Sequence, residues 1–242
     1  MVESSRVEQA PHTRPWAVAL TVLVVTAVVT AASYRAPAQY AATAVGLLFL
    51  AATWVLVLRK DGDTVRAHGL ALGGLLVPDE IDARALARDL GVALAWALGC
   101  FAVVAIPFTI GFARWFHASR PFDPWAAMPS ADHALGQLLV IALPEEAFFR
   151  GWLQTKLDAY FPRTVRVLGL PIGLSIVVAS AVFAVGHFLT IPSPARFAVF
   201  FPSLLFGALR KRTGGIGAGV VLHALFNLLS SSLARGFGLP HA

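Results

Sequence analysis

Six polar residues in the second half of an otherwise apolar chain have the types and spacing to do chemistry: Glu145, Glu146, Arg150, His187, His223 and Asn227. They fall in three groups, Pro144-Glu145-Glu146-Ala147-Phe148-Phe149-Arg150, Phe183-Ala184-Val185-Gly186-His187, and His223-Ala224-Leu225-Phe226-Asn227. On a helix, Glu146 and Arg150 stand at i and i+4, the order in which an acid reaches a base one turn on. Glu145 points roughly 100° away from Glu146, so Arg150 can hold one carboxylate while the other faces something else. Phe183 with His187, and His223 with Asn227, are again i, i+4 pairs on one face. A carboxylate or imidazole free to take a proton is what a general base requires. Fixed donors are what a developing oxyanion requires.

The elements that must position these groups are membrane helices. Of 242 residues, 57% are hydrophobic and only 13% charged, with a mean hydropathy of +0.73; soluble domains carry about 25% charged residues. An ordinary water-soluble globule is excluded. The one cysteine, Cys100, excludes a disulfide framework or a thiolate cluster within the chain. The net charge of +6 and pI near 10.2 do not indicate nucleic acid, because the basic residues sit singly or in short groups between apolar runs.

About 20 apolar residues cross a bilayer. Runs of that kind predict an all-α polytopic bundle, a single membrane domain of about seven spans at 16–33, 39–58, 90–112, 133–157, 167–191, 195–209 and 214–234. The first run has a signal peptide as its rival reading, but it is longer than a usual h-region. A polar loop at 59–89 separates the second and third spans. Within it, Pro78 followed by Asp79 and Glu80 predicts the start of a short amphipathic helix. Trp115, Phe116 and Trp125 in the loop 114–132 suit an interfacial belt.

With the N-terminus inside, thirteen of the 19 basic residues fall in inside segments: Arg6, Arg14, Arg59, Lys60, Arg66, Arg84, Arg88, Lys156, Arg163, Arg166, Arg210, Lys211 and Arg212. Five, namely Arg35, Arg114, Arg120, Arg196 and Arg235, fall outside, and Arg150 lies within a span. This bias predicts N-in and C-out. Few lysines, much arginine and much alanine fit a GC-rich bacterial genome, hence a bacterial inner membrane.

A charge at the bilayer centre costs at least about 2.5–3.5 kcal/mol. Each intramembrane polar residue also has a structural reading. Glu146 with Arg150 reads best as an ion pair, His187 as a hydrogen-bonded interhelical histidine, and Asn227 as interhelical glue. Glu145 is what that reading leaves over, a second carboxylate with no obvious basic partner. Pro144 frees a backbone carbonyl in the preceding turn, which is tolerable only where the helix is packed or lines a wet cavity. Ser180 shares a span with His187 but lies about two turns away, so a Ser/His pair is not expected.

Glu-Glu-x-x-x-Arg, Phe-x-x-x-His and His-x-x-x-Asn, in this order on successive predicted spans, resemble the signature of the CPBP family. These intramembrane proteases are typified by the CAAX prenyl endopeptidase and include bacteriocin-processing and Abi-type members. The resemblance covers about 136–232. The wording Pro-Glu-Glu-Ala-Phe-Phe-Arg-Gly is similar to the myxosortase-like bacterial branch. The resemblance implies a glutamic-type endopeptidase in which Glu145 and His187 bind and activate a water. His223 and Asn227 would then donate to the oxyanion, while Glu146 and Arg150 orient the set. No cofactor and no metal are expected, and the substrate would be a membrane-embedded or membrane-anchored protein or peptide.

Two other readings stay open. His187, His223 and Glu145 could bind zinc with an open position for water. Against this, there is no His-Glu-x-x-His pair, and no acidic residue in the spans could back both histidines. Alternatively, Glu145, His187 and His223 could form the proton relay of a small proton-coupled transporter. A geometric tension also arises: a fifth helix starting at Val167 would carry His187 about 30 Å along it, too far to meet Glu145 near mid-depth. Placing 167–173 in the interface, with Pro171 at the bend, resolves this better than a break at Pro144.

Overall fold

A computed structural model of the chain describes residues 13–77 and 81–239. Helix α1 (Pro15–Arg35) and helix α2 (Ala38–Leu58) form an antiparallel pair joined by a turn at Ala36 and Pro37. A short helix α3 (Gly62–Ala67) follows, capped by the Asp61 side chain, which accepts from the Thr64 N–H at 2.8 Å. The helix start expected at Pro78, Asp79 and Glu80 lies outside the described residues. Beyond it, Asp82 caps helix α4 (Ala83–Trp115) by accepting from the N–H groups of Arg84 and Ala85. The surface segment and the third span are therefore one helix of 33 residues, about 50 Å long.

A single turn α5 (Pro124–Ala127) leads to α6, a continuous helix over 131–160. It winds as a π-helix over Gly136–Ala142 and Ala147–Gln154, with an α-helical turn, Leu143–Glu146, between. Proline explains the irregularity, since Pro144 offers no N–H to the carbonyl of Val140 four residues back. That carbonyl points at α2, where a Cβ on Gly46 would overlap its oxygen. The freed carbonyl is thus covered by close backbone packing, which only a glycine at 46 permits.

After α6 the chain makes a two-stranded antiparallel hairpin, β1 (Thr164–Val167) and β2 (Leu170–Gly173), before helix α7 (Leu174–Thr190). The helix expected within 167–191 therefore begins seven residues late, because residues 167–173 belong to the hairpin. His187 then lies about 20 Å along α7 and Glu145 about 22 Å from the end of α6, so the two reach similar depth. A 3-10 turn (Pro194–Val199) precedes helix α8 (Phe200–Thr213), and helix α9 (Gly217–Gly236) closes the bundle. With 14 residues, α8 is about 21 Å long, close to the 15-residue stretch expected at 195–209 but starting later, because Pro194–Val199 forms the 3-10 turn.

Among the described residues, four helices are long and apolar enough to cross a membrane: α1, α2, α4 and α9. Their surroundings fit lipid, since Leu20, Leu23 and Val24 on α1, Leu47 on α2, and Val103 and Ile106 on α4 are exposed. Trp115 and Trp125 are exposed at the end of α4 and in the loop after it, as an interfacial belt requires. This all-α membrane bundle packs α9 against α4 and α8, α7 against α1 and α8, and α2 against α6. The polar residues sit where α6, α7 and α9 meet.

Candidate active site

Glu146 is fully buried, and its Oε1 atom is shared. The Arg150 guanidinium lies 3.1 Å away through Nη1, and His223 Nδ1 lies 3.0 Å away. The i, i+4 ion pair expected on one helix is therefore extended by an imidazole from another. Arg150 also donates through Nη2 to the Ser203 hydroxyl at 2.6 Å and to its carbonyl at 3.2 Å. Its guanidinium lies 4.6 Å from the Phe183 ring centroid and 5.2 Å from that of Phe206, a clamp that places cationic charge against aromatic faces. Phe206 stacks on His223 at 4.9 Å. A Cβ on Gly219, one turn before His223, would come 3.1 Å from Glu146 Oε2, so the absence of a side chain there leaves the carboxylate its room.

Glu145 points elsewhere. Its Oε2 atom is buried and has no hydrogen-bond partner among the described residues. His187 Nε2 stands 3.7 Å from that oxygen and His223 Nε2 3.8 Å. Both distances exceed a direct hydrogen bond and suit a polar group held between. Glu145, His187 and His223 thus converge from α6, α7 and α9. Asn227 is half-buried one turn beyond His223 on the same helix face, and its side chain makes no hydrogen bond among the described residues. It borders the cluster without joining it.

The second nitrogen of each imidazole fixes what Nε2 can do. His187 Nδ1 lies 3.0 Å from the Phe183 carbonyl, and a carbonyl can only accept, so Nδ1 carries the proton. His223 Nδ1 faces the Arg150-paired carboxylate of Glu146, which assigns the proton to Nδ1 there too. In its neutral form each ring therefore turns a lone pair at Nε2 toward Glu145. Both histidines are backed, His223 by a carboxylate and His187 by a backbone carbonyl. Only one of the two has an acidic partner; the carbonyl behind His187 is a main-chain group and has no residue type. Among the described residues, no group of three or more His, Cys, Asp or Glu is arranged to hold a metal ion.

A cavity of about 50 Å³ reaches Glu145 and His187 from the side. Thr26, Val29 and Thr30 of α1, Val45 and Phe49 of α2, and Gly186 of α7 are among its walls. Sequence reasoning did not find this gap, nor did it find Ser203, Phe206 or Arg196. Arg196, on the 3-10 turn before α8, is close enough to Glu145 for the two charges to interact. An intramembrane serine or phenylalanine is too common to signal such a role, and Arg196 read as a loop cation.

An apolar helical bundle that encloses one paired carboxylate, one unpaired carboxylate and two oriented imidazoles has the composition of a membrane-embedded hydrolase. Residues 129–229, which include all six candidate residues, match the family model described as Type II CAAX prenyl endopeptidase Rce1-like. That segment is a domain of this peptide-hydrolase family, within the CPBP proteases. No curated protein and no solved structure matched the chain.

Arg150→Ala is expected to reduce stability by about 3–5 kcal/mol, because Glu146 loses its buried cation. Arg150→Lys should recover only part of this, since an ammonium lacks the fork that reaches both Glu146 and Ser203. Thermal unfolding of the purified protein in detergent measures both. A wild-type midpoint for Arg150→Ala would show that the pair contributes nothing.

Proposed function

We propose that the protein is an intramembrane endopeptidase that hydrolyses a peptide bond in or near the membrane segment of a protein or peptide, using water activated by Glu145 and His187. The observation that carries this reading is the convergence of both Nε2 atoms on the otherwise unpartnered Glu145 Oε2. A water there donates one hydrogen bond to Glu145 and another to the lone pair of His187, leaving its own lone pair for the scissile carbonyl carbon. Glu145 takes the water's proton as the C–O bond forms. It returns that proton to the amide nitrogen as the C–N bond breaks.

For His223 to stabilise the oxyanion, Nε2 must donate, so the ring must carry a second proton. Glu146 Oε1, 3.0 Å from His223 Nδ1, supplies the negative charge against which such a proton would be held. Glu146 holds that imidazolium through Nδ1, and Asn227 lies one turn on as the second donor. The substrate reaches Glu145 through the gap between α1, α2 and α7. The Lys/Arg-rich end of the bundle faces the cytoplasm, as the distribution of basic residues favours, in a bacterial inner membrane. The wording around Glu145, similar to that of the myxosortase-like branch, supports assigning the chain near it.

A second reading has an observation of its own. Histidines that donate Nδ1–H to a carboxylate or carbonyl while turning Nε2 inward are oriented as metal ligands are, so zinc held by His187, His223 and Glu145 is the rival. Zinc would supply a Lewis acid to the same water. Elemental analysis of active protein is expected to find no stoichiometric zinc, with activity unaffected by ortho-phenanthroline. Zinc that is present and disappears in His187→Ala would overturn the metal-free mechanism.

Comparing membrane proteomes of cells with and without the protein identifies the unprocessed precursor, whose accumulation then reports activity. Glu145→Gln should abolish processing, because the amide keeps the shape but cannot take a proton. His187→Ala should lose most activity. His223→Ala and Asn227→Ala should each retain a residue of it, a single oxyanion donor being worth about 10²–10³ in rate. Near-normal turnover in Glu145→Gln would exclude the glutamate mechanism.

Gly186 tests the route of access. A Cβ there meets nothing within 4 Å, so a small side chain, Gly186→Val, should fold and narrow the cavity. Normal abundance with strongly reduced processing is expected. Unimpaired processing would place the substrate's path elsewhere.

A further inference from the structure

A separate polar cavity lies at the Lys/Arg-rich end of the bundle. It has a volume of about 290 Å³ and is bounded by the β1–β2 hairpin and the end of α8. Its cations come from two elements, Arg166 on β1 and Lys211 and Arg212 in the last turn of α8. Lys211 is paired with Asp158 at 2.8 Å, so the guanidinium groups of Arg166 and Arg212 supply the uncompensated charge. Arg212 rests over the Trp96 ring at 5.1 Å, a contact that positions the guanidinium without neutralising it. None of these residues takes part in the hydrolytic chemistry.

The hairpin shows what kind of anion would arrive. Side chains alternate across a strand, so Val165 and Val167 share one face while Thr164 and Arg166 share the other. Val165 and Val167 are 66% and 51% exposed, and Leu168 at the tip is 99% exposed. Leu168 and Gly169 both have positive φ, 51° and 80°, the two-residue hairpin turn that normally selects Asn-Gly. A leucine in that conformation is strained, and in water its full exposure would add nothing in return. A bilayer boundary accounts for both features: the apolar edge and leucine tip enter the acyl region, and the opposite face holds Arg166 at the level of the phosphates.

We propose that this cavity binds the phosphate of an anionic lipid headgroup. Arg166 and Arg212 donate to it, guanidinium forks being suited to phosphate oxygens, while Val165, Val167 and Leu168 contact the acyl chains. Because β2 runs directly into α7, a bound headgroup fixes the base of the helix that carries His187.

Native mass spectrometry of the full-length protein in detergent, titrated with phosphatidylglycerol or with phosphatidylcholine of the same acyl chains, tests this. The wild-type protein should retain phosphatidylglycerol in preference. Each arginine near an anionic lipid surface contributes roughly fivefold in affinity, so Arg166→Gln with Arg212→Gln should weaken retention about 25-fold. If that double variant fails to fold, judged by thermal unfolding, Arg166→Gln alone on the exposed hairpin should weaken it about fivefold. Arg35→Gln with Arg114→Gln, in segments assigned to the other end, should change nothing. Equal retention of the two lipids, unchanged retention in the Arg166 variants, or equal loss in the Arg35 and Arg114 control would each overturn the proposal. Full displacement of phosphatidylglycerol by millimolar inorganic phosphate would also overturn it, by making free phosphate the ligand.

Discussion

The structure depends on a single carboxylate atom, Glu146 Oε1, which holds Arg150 from its own helix and His223 from α9 inside an apolar bundle. An uncompensated charge there would be strongly destabilising, so the helices that supply partners are constrained in rotation as well as position. Arg150 carries the constraint to α8 through Ser203, and the rings of Phe183 and Phe206 bring α7 and α8 against the same guanidinium. Four helices are thereby referred to one centre. A pair that is only structural need not be so connected. Here the link through His223 makes the pair a support for the imidazole that faces Glu145.

Adjacency in sequence gives the two carboxylates different environments. One helical step turns Glu145 away from the arginine and toward His187 and His223, while the π-turns on either side adjust α6 around the α-helical turn that holds both. Such π insertions are frequent at functional sites. In this helix Pro144 supplies a reason for one, and Gly46 on α2 supplies the packing that makes the freed Val140 carbonyl tolerable.

Much of this was legible in the sequence because the signals were local. The Glu146–Arg150 pair follows from i, i+4 spacing, and the mismatch in depth at His187 correctly pointed to non-helical backbone before α7, with Pro171 inside it. What was not legible depends on groups without a pattern. The Phe183 carbonyl that orients His187 is main chain, and Ser203 and Phe206 have the composition of any apolar helix. The hairpin itself was not foreseen, 167–173 being expected only as an interfacial stretch bent at Pro171, because its turn uses Leu168-Gly169 in place of a recognisable Asn-Gly.

The two halves of the chain divide the work unequally. All six candidate residues lie within the matched segment, 129–229, yet that segment alone does not enclose Glu145. The lateral cavity takes its outer walls from Thr26, Val29, Thr30, Val45 and Phe49, all on α1 and α2, and α2 also covers the carbonyl that Pro144 leaves free. On the proposed reading, a peptide must pass these side chains before it meets the water, and a cavity of about 50 Å³ admits little more than a small side chain without movement of α1 or α2. Selection of substrate then rests on helices outside the family match, where the constraint is width and apolar lining, while the chemistry rests on helices inside it, where the constraint is charge.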